Sequence, residues 1–382
     1  MNIYIERAFK DIFFKRLLPN KVLIIYGARR VGKTSFIQKI VNENLSNEKV
    51  LQLDGEDIMS NEILKNRSYE NYKRLLNNYS VLIIDEAQKI PEIGLILKFI
   101  VDKIDGIKVI ATGSSMFDLS NKLGEPLTGR NFSILIHPLS QIEFSKNENL
   151  IQTKSLLETR LIYGNYPELL KYESFSEKKV YLNELINSYL LKDILAFDGI
   201  NNSGKMLNIL RLIAFQIGSE VSIDEIGNKV GLARNTVEKY LDLLTKVFVL
   251  FKIPGFSKNL RNEITKTSKW YFYDNGIRNA LISNFNSLSL RDDMGKLWEN
   301  YLISERIKYQ NYTEMNVNNY FWRTYEQQEI DLIEERDGKL FAYEIKWNEN
   351  KKTKIPSAWA KSYTESEYSV ITQSNYLSWI VK

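Results

Sequence analysis

The 382-residue sequence contains no cysteine and only one histidine, His137. Without cysteine the chain cannot form disulfide bonds, perform thiolate catalysis or hold zinc or iron–sulfur clusters on thiolates. Long apolar runs are missing too, since none approaches the roughly 20 residues that a bilayer-spanning helix needs. Glu6 and Arg7 bring charges too early for a secretory signal. We therefore expect a cytoplasmic protein without a membrane-spanning segment.

A strong charge imbalance is also absent, because 52 lysines and arginines face 47 aspartates and glutamates, for a net charge of +5. This balance permits contact with nucleic acid but does not by itself indicate it. The hydrophobic fraction of 44% excludes wholesale disorder. The length predicts about two to four domains with cores of their own.

Residues 27–34 have the sequence Gly-Ala-Arg-Arg-Val-Gly-Lys-Thr, which matches the phosphate-binding loop pattern G-x-x-x-x-G-K-[ST] at every fixed position. An apolar strand is predicted before the loop, at 22–26, and a helix after it. In such a loop the backbone N–H groups surround a phosphate, while Lys33 reaches the β- and γ-phosphates and Thr34 holds Mg²⁺. The predicted nucleotide-binding residues are Gly27, Ala28, Arg29, Arg30, Val31, Gly32, Lys33, Thr34 and Ser35.

An apolar run at 81–84 ends in two acids, Asp85 and Glu86. Such a run predicts a strand buried on both faces of a parallel sheet, with its carboxyl end at the ligand-binding edge. We expect Asp85 to hold Mg²⁺ through water and Glu86 to polarise the attacking water. In the alternative interpretation, both acids are solvated and Asp85 caps a helix.

Two further residues have competing interpretations. A third apolar strand at 108–111 leads into Thr112, whose hydroxyl either senses the γ-phosphate and orients the water or belongs to an ordinary turn. Arg130 precedes a strand predicted at 132–136. It either stabilises transition-state charge on the nucleotide of a neighbouring subunit, which would require a homo-oligomer, or is an unremarkable surface arginine.

Together these motifs resemble those of AAA-type P-loop ATPases, with Walker A at 27–34, Walker B at 82–87, sensor 1 at 111–115 and an arginine finger at Arg130. More specifically, residues 1 to about 280 resemble a prokaryotic family in which such an ATPase is fused to a helical and winged-helix region of unknown function. The motifs that carry this resemblance are Asp85-Glu86-Ala87-Gln88, Thr112-Gly113-Ser114-Ser115, Gly129-Arg130 and Gly164-Asn165-Tyr166-Pro167-Glu168. Asn165 stands where the family usually has a second glycine. The resemblance implies ATP and Mg²⁺ binding and ATP hydrolysis, but no particular substrate.

The middle of the chain is predicted to be helical, with a long core-facing helix over 177–197 and then a helix, a turn at Gly231 and a second helix. Two apolar runs that flank a basic segment complete a pattern typical of a winged helix. In the functional interpretation the second helix enters the major groove of DNA and the basic segment touches phosphates. In the alternative, the module packs against protein, and Glu238 and Asp242 would repel phosphate. The residues concerned are Arg234, Asn235, Thr236 and Lys239 on the helix, and Lys258, Arg261, Lys266 and Lys269 in the basic segment.

The last third of the chain carries a second set of acids and a lysine. Glu344 and Lys346 are two apart in a predicted strand and therefore share a face, which Asp331 joins if the preceding strand pairs with it. Asp331 and Glu344 could then bind Mg²⁺, Lys346 could activate a water, and Glu299 could supply a further carboxylate from a helix. These four positions resemble the PD-(D/E)xK nuclease superfamily, although Ile330 replaces the proline that usually precedes the aspartate. An inactive remnant that only contacts DNA or protein is the competing interpretation.

The predicted fold class is α/β: an AAA-type P-loop ATPase with a parallel sheet, a helical connection with a winged helix, and a restriction-endonuclease-like α/β domain. The predicted domain boundaries are 1–137, 138–203, 204–280 and 281–382. The predicted function is an ATPase coupled to a DNA-interacting, Mg²⁺-dependent nuclease domain. The alternative is a nucleotide-controlled DNA- or protein-binding regulator with an inactive nuclease-like fold.

Overall fold

The computed structural model describes residues 4–114, 127–190, 203–257, 268–349 and 353–381. The chain divides into two units, one of Glu6–Pro138 with Lys246–Phe248, the other of Met1–Ile5, Leu139–Thr245 and Val249–Lys382. The four-domain division made from the sequence stays a prediction. Several predicted features lie outside the described residues, namely Ser115, Lys258, Arg261, Lys266 and the part of the 177–197 helix beyond residue 190.

The first unit is built on a five-stranded parallel sheet with the strand order β2-β3-β4-β1-β5. Its strands are β1 (Lys21–Tyr26), β2 (Val50–Asp54), β3 (Val81–Asp85), β4 (Lys108–Gly113) and β5 (Asn131–Leu135). Its helices are α1 (Lys10–Arg16), α2 (Lys33–Glu43), α3 (Ile58–Lys65), α4 (Tyr69–Leu76) and α5 (Ile93–Lys103). The three central strands are almost wholly buried, as their continuous apolar sequences predicted. The parallel sheet predicted for this part of the chain is confirmed.

Strand register decides which side chains meet at the edges of this sheet. Tyr26 pairs with Gly113, and Asp54 pairs with Asp85, so the carboxyl ends of β1, β2, β3 and β4 lie along one edge. The loop after β1 and the acids at the end of β3 therefore share that edge. Val22 pairs with Asn131, which places Arg130 at the opposite edge, roughly 17 Å away by the length of β1.

The second unit begins with helices and a hairpin. Its helices are α6 (Gln141–Phe144), α7 (Leu150–Tyr163), α8 (Phe175–Glu184), α9 (Ser203–Phe215), α10 (Ile223–Val230), α11 (Arg234–Lys246), α12 (Asn275–Leu281), α13 (Met294–Tyr312), α14 (Ser357–Ser362) and α15 (Tyr376–Ile380). Strands β6 (Leu250–Pro254) and β7 (Ser268–Phe272) pair antiparallel. Gly231, at φ +64°, ends α10, so the predicted helix, glycine turn and helix are confirmed locally.

The long helix predicted over 177–197 is helical as far as it is described, to residue 190. Helix α8 ends at Glu184 and continues as a π-helical segment, Leu185–Leu190. Val180, which the pattern placed on the core-facing side, is 55% exposed. The π-helical turn follows Val180 and does not account for its exposure, whereas Leu182, Leu185 and Ile186 are buried as a core-facing helix requires.

A four-stranded sheet with the order β11-β10-β9-β8 completes the second unit. It contains β8 (Asn318–Arg323), β9 (Glu329–Arg336), β10 (Lys339–Ile345) and β11 (Glu367–Ile371). Strands β8, β9 and β10 are successively antiparallel, and β11 joins β10 in parallel. Helix α13 contributes Trp298 and Leu302 to a core shared with Tyr343 and Ile345 of β10. The pairing of β9 with β10, on which the predicted C-terminal site depends, is confirmed.

The motif at 164–168 has a packing role in this unit. Asp274 accepts hydrogen bonds from the N–H groups of Asn165 (2.7 Å) and of Gly276 (2.8 Å), and it caps α12. A Cβ on Gly164 would lie 2.0 Å from Asp274 Oδ1, so only glycine fits there. Asn165, the departure from the family pattern, donates through Nδ2 to Glu305 Oε1 (3.2 Å).

Of the helices that the structure describes, none combines the length and the apolar composition needed to cross a membrane.

Candidate nucleotide site and C-terminal acidic cluster

The loop after β1 has the backbone of an anion-binding turn. Arg30 and Gly32 adopt positive φ angles of +60° and +96°. Gly27 has φ +152°, and a Cβ there would lie 2.1 Å from the carbonyl oxygen of Ile136. Gly32 has no side chain to cap α2, which begins at Lys33. The first N–H groups of α2 and the positive end of its dipole therefore face the loop, an arrangement suited to a phosphate.

Lys33 lies folded over this loop. Its Nζ donates hydrogen bonds to the carbonyl oxygens of Gly27 (2.9 Å) and Ala28 (3.0 Å), and the residue is only 6% exposed. A buried ammonium needs acceptors, and two backbone carbonyls supply them. The positive charge is thus held within the turn that would surround a phosphate.

Asp85 connects the loop helix to the sheet edge. Its Oδ2 accepts a hydrogen bond from Thr34 Oγ1 (2.9 Å), and its Oδ1 accepts one from Thr112 Oγ1. The structure therefore brings together the hydroxyl and the carboxylate predicted to hold Mg²⁺, with Thr112 as their neighbour. A short 3₁₀ helix, Ala87–Lys89, follows Asp85, but Glu86 rather than Asp85 occupies its N-cap position. The helix-cap interpretation of Asp85 is therefore wrong.

Glu86 is held by contacts that the sequence analysis missed. It adopts a left-handed backbone conformation (φ +45°, ψ +42°), which a non-glycine residue rarely takes. Gln88 Nε2 donates to Glu86 Oε2 (2.5 Å) and to Ser114 Oγ (3.3 Å). A Cβ on Gly55, at the end of β2, would lie 2.3 Å from the Glu86 carbonyl oxygen. The sequence spacing could have identified Gln88, because a residue two positions after the N-cap of a 3₁₀ helix can donate back to a glutamate at that N-cap.

Arg130 is separate from this site. Its Nε donates to Asp102 Oδ1 (2.6 Å), and this hydrogen bond and charge raise the pKa of the guanidinium above its usual value. From the opposite edge of the sheet it cannot serve its own loop. Its role toward a neighbouring subunit stays a prediction.

The C-terminal residues predicted to act together do converge. Asp331 Oδ2 accepts the N–H of Ile345 (2.7 Å), which joins β9 to β10 at this point. Lys346 Nζ forms an ion pair with Glu344 and lies 3.9 Å from Asp331 Oδ2. Burial and the charge of Asp331 raise the pKa of Glu344 to about 7, although Lys346 acts in the opposite direction.

Glu299 reaches the same cluster from α13. Tyr271 Oη donates to its Oε1 (2.7 Å), and a Cβ on Gly218 would lie 2.9 Å from that oxygen. Burial raises the pKa of Glu299 to about 7, although Lys269 opposes this shift. The carboxylate is thus enclosed by protein on several sides.

Lys269 was predicted to lie in a basic segment that touches DNA phosphates or, in the alternative, is merely solvated, and its burial contradicts both. The residue is 1% exposed, its Nζ forms an ion pair with Glu329, and it lies 3.8 Å from Glu299 Oε1. Burial alone would lower the pKa of this ammonium, but the charges of Glu299, Asp331 and Glu329 raise it above its usual value. The antiparallel pairing of β6 with β7 turns this side chain inward, which no local pattern reveals.

Two carboxylates of the cluster, Asp331 and Glu344, were predicted to hold one divalent cation. Glu344 is 8% exposed, and its Oε2 has no hydrogen-bond partner among the residues that the structure describes. Within those same residues, no three acidic or histidine side chains have the arrangement of metal ligands. Mg²⁺, however, is commonly bound by one or two carboxylates with water and phosphate oxygens. Metal binding by Asp331 and Glu344 stays a prediction.

The helix predicted to contact DNA carries its own acidic partners. Arg234 Nη1 lies 2.6 Å from Asp224 Oδ2, and Arg234 Nε lies 3.0 Å from Glu238 Oε1. The guanidinium is thus engaged by two carboxylates on an exposed surface. Exposed pairs of this kind are weak and can exchange partners, so DNA contact by Arg234 stays a prediction.

Comparison with known families divides the chain into three matched segments. Residues 19–145 match an AAA domain, residues 154–288 a domain of unknown function (DUF8612), and residues 294–379 another domain of unknown function (DUF4143). Residues 19–145 form an AAA-type P-loop ATPase region. The parallel sheet and the loop after β1 are consistent with that match, which indicates a nucleotide-hydrolysing enzyme, and the family implies ATP and typically Mg²⁺. The winged helix and the nuclease likeness stay predictions.

Similar proteins occur in archaea and bacteria. The chain is 27% identical to the uncharacterized protein MJ1544 of Methanocaldococcus jannaschii over 379 residues, which cover 92% of this chain and 81% of that protein. It is 23% identical to the uncharacterized protein Rv2008c of Mycobacterium tuberculosis, covering 85% of this chain and 70% of that protein. An uncharacterized protein of Haemophilus influenzae is 23% identical, with 72% and 70% covered. Each of these alignments extends over more than one of the three matched segments.

Proposed function

We propose that the chain binds and hydrolyses Mg²⁺-ATP at the edge of the first sheet. The observation that carries this proposal is the joint arrangement of Lys33, Thr34, Asp85 and Glu86 around an uncapped helix start. The loop from Gly27 to Ser35 would surround the phosphates with N–H groups. Lys33 would exchange its two carbonyl acceptors for β- and γ-phosphate oxygens, which are stronger acceptors because they are charged.

Thr34 and Asp85 would hold Mg²⁺, directly or through water. The bound ion would neutralise charge on the phosphate oxygens. Glu86, just after β3, would accept a proton from the attacking water, and Thr112 would orient that water through the Asp85 network. Arg130 would act on a neighbouring subunit's nucleotide in a homo-oligomer.

Two variants test this proposal. Lys33→Ala should weaken ATP binding about 10- to 100-fold, because it removes charge-assisted hydrogen bonds. Lys39→Ala on the same helix is the matched control, since the Lys39 ammonium forms an ion pair with the exposed Glu43. Glu86→Gln should bind ATP without turning it over, whereas the exposed Glu92→Gln should behave like wild type. Normal turnover by Glu86→Gln would show that another group is the general base.

A second function is supported by the unpartnered oxygen of Glu344. We propose Mg²⁺-dependent cleavage of a phosphodiester at the C-terminal cluster, with Asp331 and Glu344 holding the ion and Lys346 positioning water. Mg²⁺-dependent cleavage of DNA by wild type should be lost in Asp331→Asn and kept in Asp337→Asn, an exposed turn residue. DNA binding that responds to ATP but yields no cleaved product would instead favour a regulator.

A further inference from the structure

The acidic cluster contains a second lysine that does not belong to the segment carrying the acids. Lys269 lies on β7, within the matched segment 154–288, whereas Glu299, Asp331 and Glu344 lie within the matched segment 294–379. Its ammonium is buried between Glu299 and Glu329 and lies 5.4 Å from the centre of the Phe321 ring. The cluster is thus built by both segments.

The cluster has two halves, one around Lys269 and one around Lys346, and each combines two carboxylates with one ammonium group. Four carboxylates (Glu299, Glu329, Asp331 and Glu344) meet two ammonium groups (Lys269 and Lys346), so the formal charge with all groups ionised is −4 + 2 = −2. One divalent cation would balance that charge. A buried carboxylate without a counter-charge is costly, so the location of each cation decides which acids remain available.

In the half around Lys269, Glu299 is enclosed by protein, whereas the Glu329 side chain is 33% exposed. Glu299 accepts the Tyr271 hydroxyl, lies beside Lys269 and abuts the backbone at Gly218. Glu329 forms its own ion pair with the same ammonium. Both carboxylates therefore share one cation, Lys269, that is covalently part of the chain.

The half around Glu344 is incomplete. Lys346 reaches Glu344 and approaches Asp331, but Glu344 Oε2 has no partner among the described residues. The hydroxyl of Tyr368 is also buried there without a partner among those residues. An added cation would be stabilised most strongly here, where an unpartnered carboxylate oxygen lies beside a second carboxylate.

We propose that Lys269 is the built-in cation of the C-terminal site: it pairs with both Glu299 and Glu329, excludes them from metal binding, and leaves Asp331 and Glu344 to hold a single divalent cation. The helix glutamate is then a partner of lysine and tyrosine rather than a ligand. Lys269 acts through Glu299 and Glu329 and is a positioning residue. This inference rests on the second proposed function, the metal-binding one, and not on ATP hydrolysis.

Mn²⁺ binding to the full-length, nucleotide-free protein tests the proposal, with free Mn²⁺ measured by electron paramagnetic resonance. Wild type should bind one Mn²⁺ that is lost in both Asp331→Asn and Glu344→Gln, with affinity falling at least about tenfold. Glu299→Gln should leave the affinity within about threefold, because the residue is not a ligand. A loss in Glu299→Gln as large as in Glu344→Gln would overturn the assignment while leaving the metal site intact.

Lys269→Met gives the complementary result. Removing the ammonium leaves Glu299 and Glu329 without a cation, so Mn²⁺ should bind about tenfold more tightly or a second ion should bind. The matched control is Lys308→Met, which removes another buried ammonium, paired with Glu305, and should leave Mn²⁺ binding unchanged. Unchanged or weaker Mn²⁺ binding by Lys269→Met would refute the proposal.

Failure to fold is covered by a second variant. If Lys269→Met does not fold, Lys269→Met/Glu299→Gln removes one charge of each sign and should recover a cooperative melting transition. If the double variant shows no such transition either, Lys269 is not the counter-charge of Glu299. A wild type that binds no Mn²⁺ overturns both this inference and the proposed phosphodiester cleavage. ATP turnover, assayed in the same samples, reports on the first proposed function separately.

Discussion

Gln88 offers a sharp test of how the nucleotide site is organised. Its side chain is 3% exposed and donates to Glu86 Oε2 (2.5 Å) and Ser114 Oγ (3.3 Å). It thus ties the proposed general base to the end of β4. Gln88→Met keeps the length of the side chain and removes the amide donor, so it isolates the hydrogen bond from the packing.

The size of the effect follows from that hydrogen bond. A hydrogen bond to a charged group contributes about 1.5–3 kcal/mol. If the bond serves to aim Glu86 at the attacking water, its loss appears in the transition state and lowers kcat by about 10- to 100-fold. KM should stay close to wild type, because the Gln88 amide donates to Glu86 and Ser114, on the side of the proposed general base.

Steady-state ATP hydrolysis measures both constants. Gln38→Met is the matched control, since Gln38 is exposed on α2 and bonds only to Asn42 in the described hydrogen bonds. In a Glu86→Gln background, Gln88→Met should cause no further loss, because the base through which it acts is gone. A folded Gln88→Met variant with unchanged kcat would refute this account of Glu86.

Three further predictions concern the loop, the far edge of the sheet and the acidic cluster. Gly27→Ala should abolish nucleotide binding and lower the melting temperature, because its Cβ would lie 2.1 Å from the Ile136 carbonyl oxygen; normal ATP affinity would contradict this. Arg130→Ala subunits mixed with wild type should alter turnover non-additively, whereas activity proportional to the wild-type fraction would indicate independent sites. The pKa of Glu299 rises from 4.5 to about 7 on folding, so its stabilising protonation is complete below pH 4.5 and is lost as the pH rises toward 7. Glu299→Gln should therefore gain stability relative to wild type across that interval in urea unfolding, and a difference independent of pH would count against the buried carboxylate.

Local patterns predicted the first unit well because its central strands are buried on both faces. Such strands have continuous apolar sequences, and β1, β3 and β4 were predicted from them. The second strand, Val50–Asp54, was missed because it is an outermost strand of the sheet and is partly exposed. Its apolar residues therefore form only a weak alternating pattern. The common edge of loop and acids was predictable because parallel strands must bring their carboxyl ends together.

The contacts of Lys269 and Gln88 were not predictable in the same way. A lysine in a short strand has the same neighbours in sequence whether its ammonium is solvated or buried. Only the fold brings Glu299 and Glu329 to Lys269. Gln88 could have been identified as a polar residue one short turn after Glu86, but its second contact, Ser114, comes from another strand. Patterns within a segment predict elements and shared faces, whereas the pairing of charges depends on which elements become neighbours.

The contact between Gly164 and Asp274 has a consequence for how this chain can vary. The carboxylate occupies the volume that any side chain at position 164 would need, and it also caps a helix and receives the Asn165 N–H. Gly164 also has φ +76° and ψ −163°, a backbone conformation that is essentially restricted to glycine. Position 164 is therefore expected to be glycine in related chains whatever stands at position 274, and a chain that replaces it should fold poorly even with a smaller residue at 274.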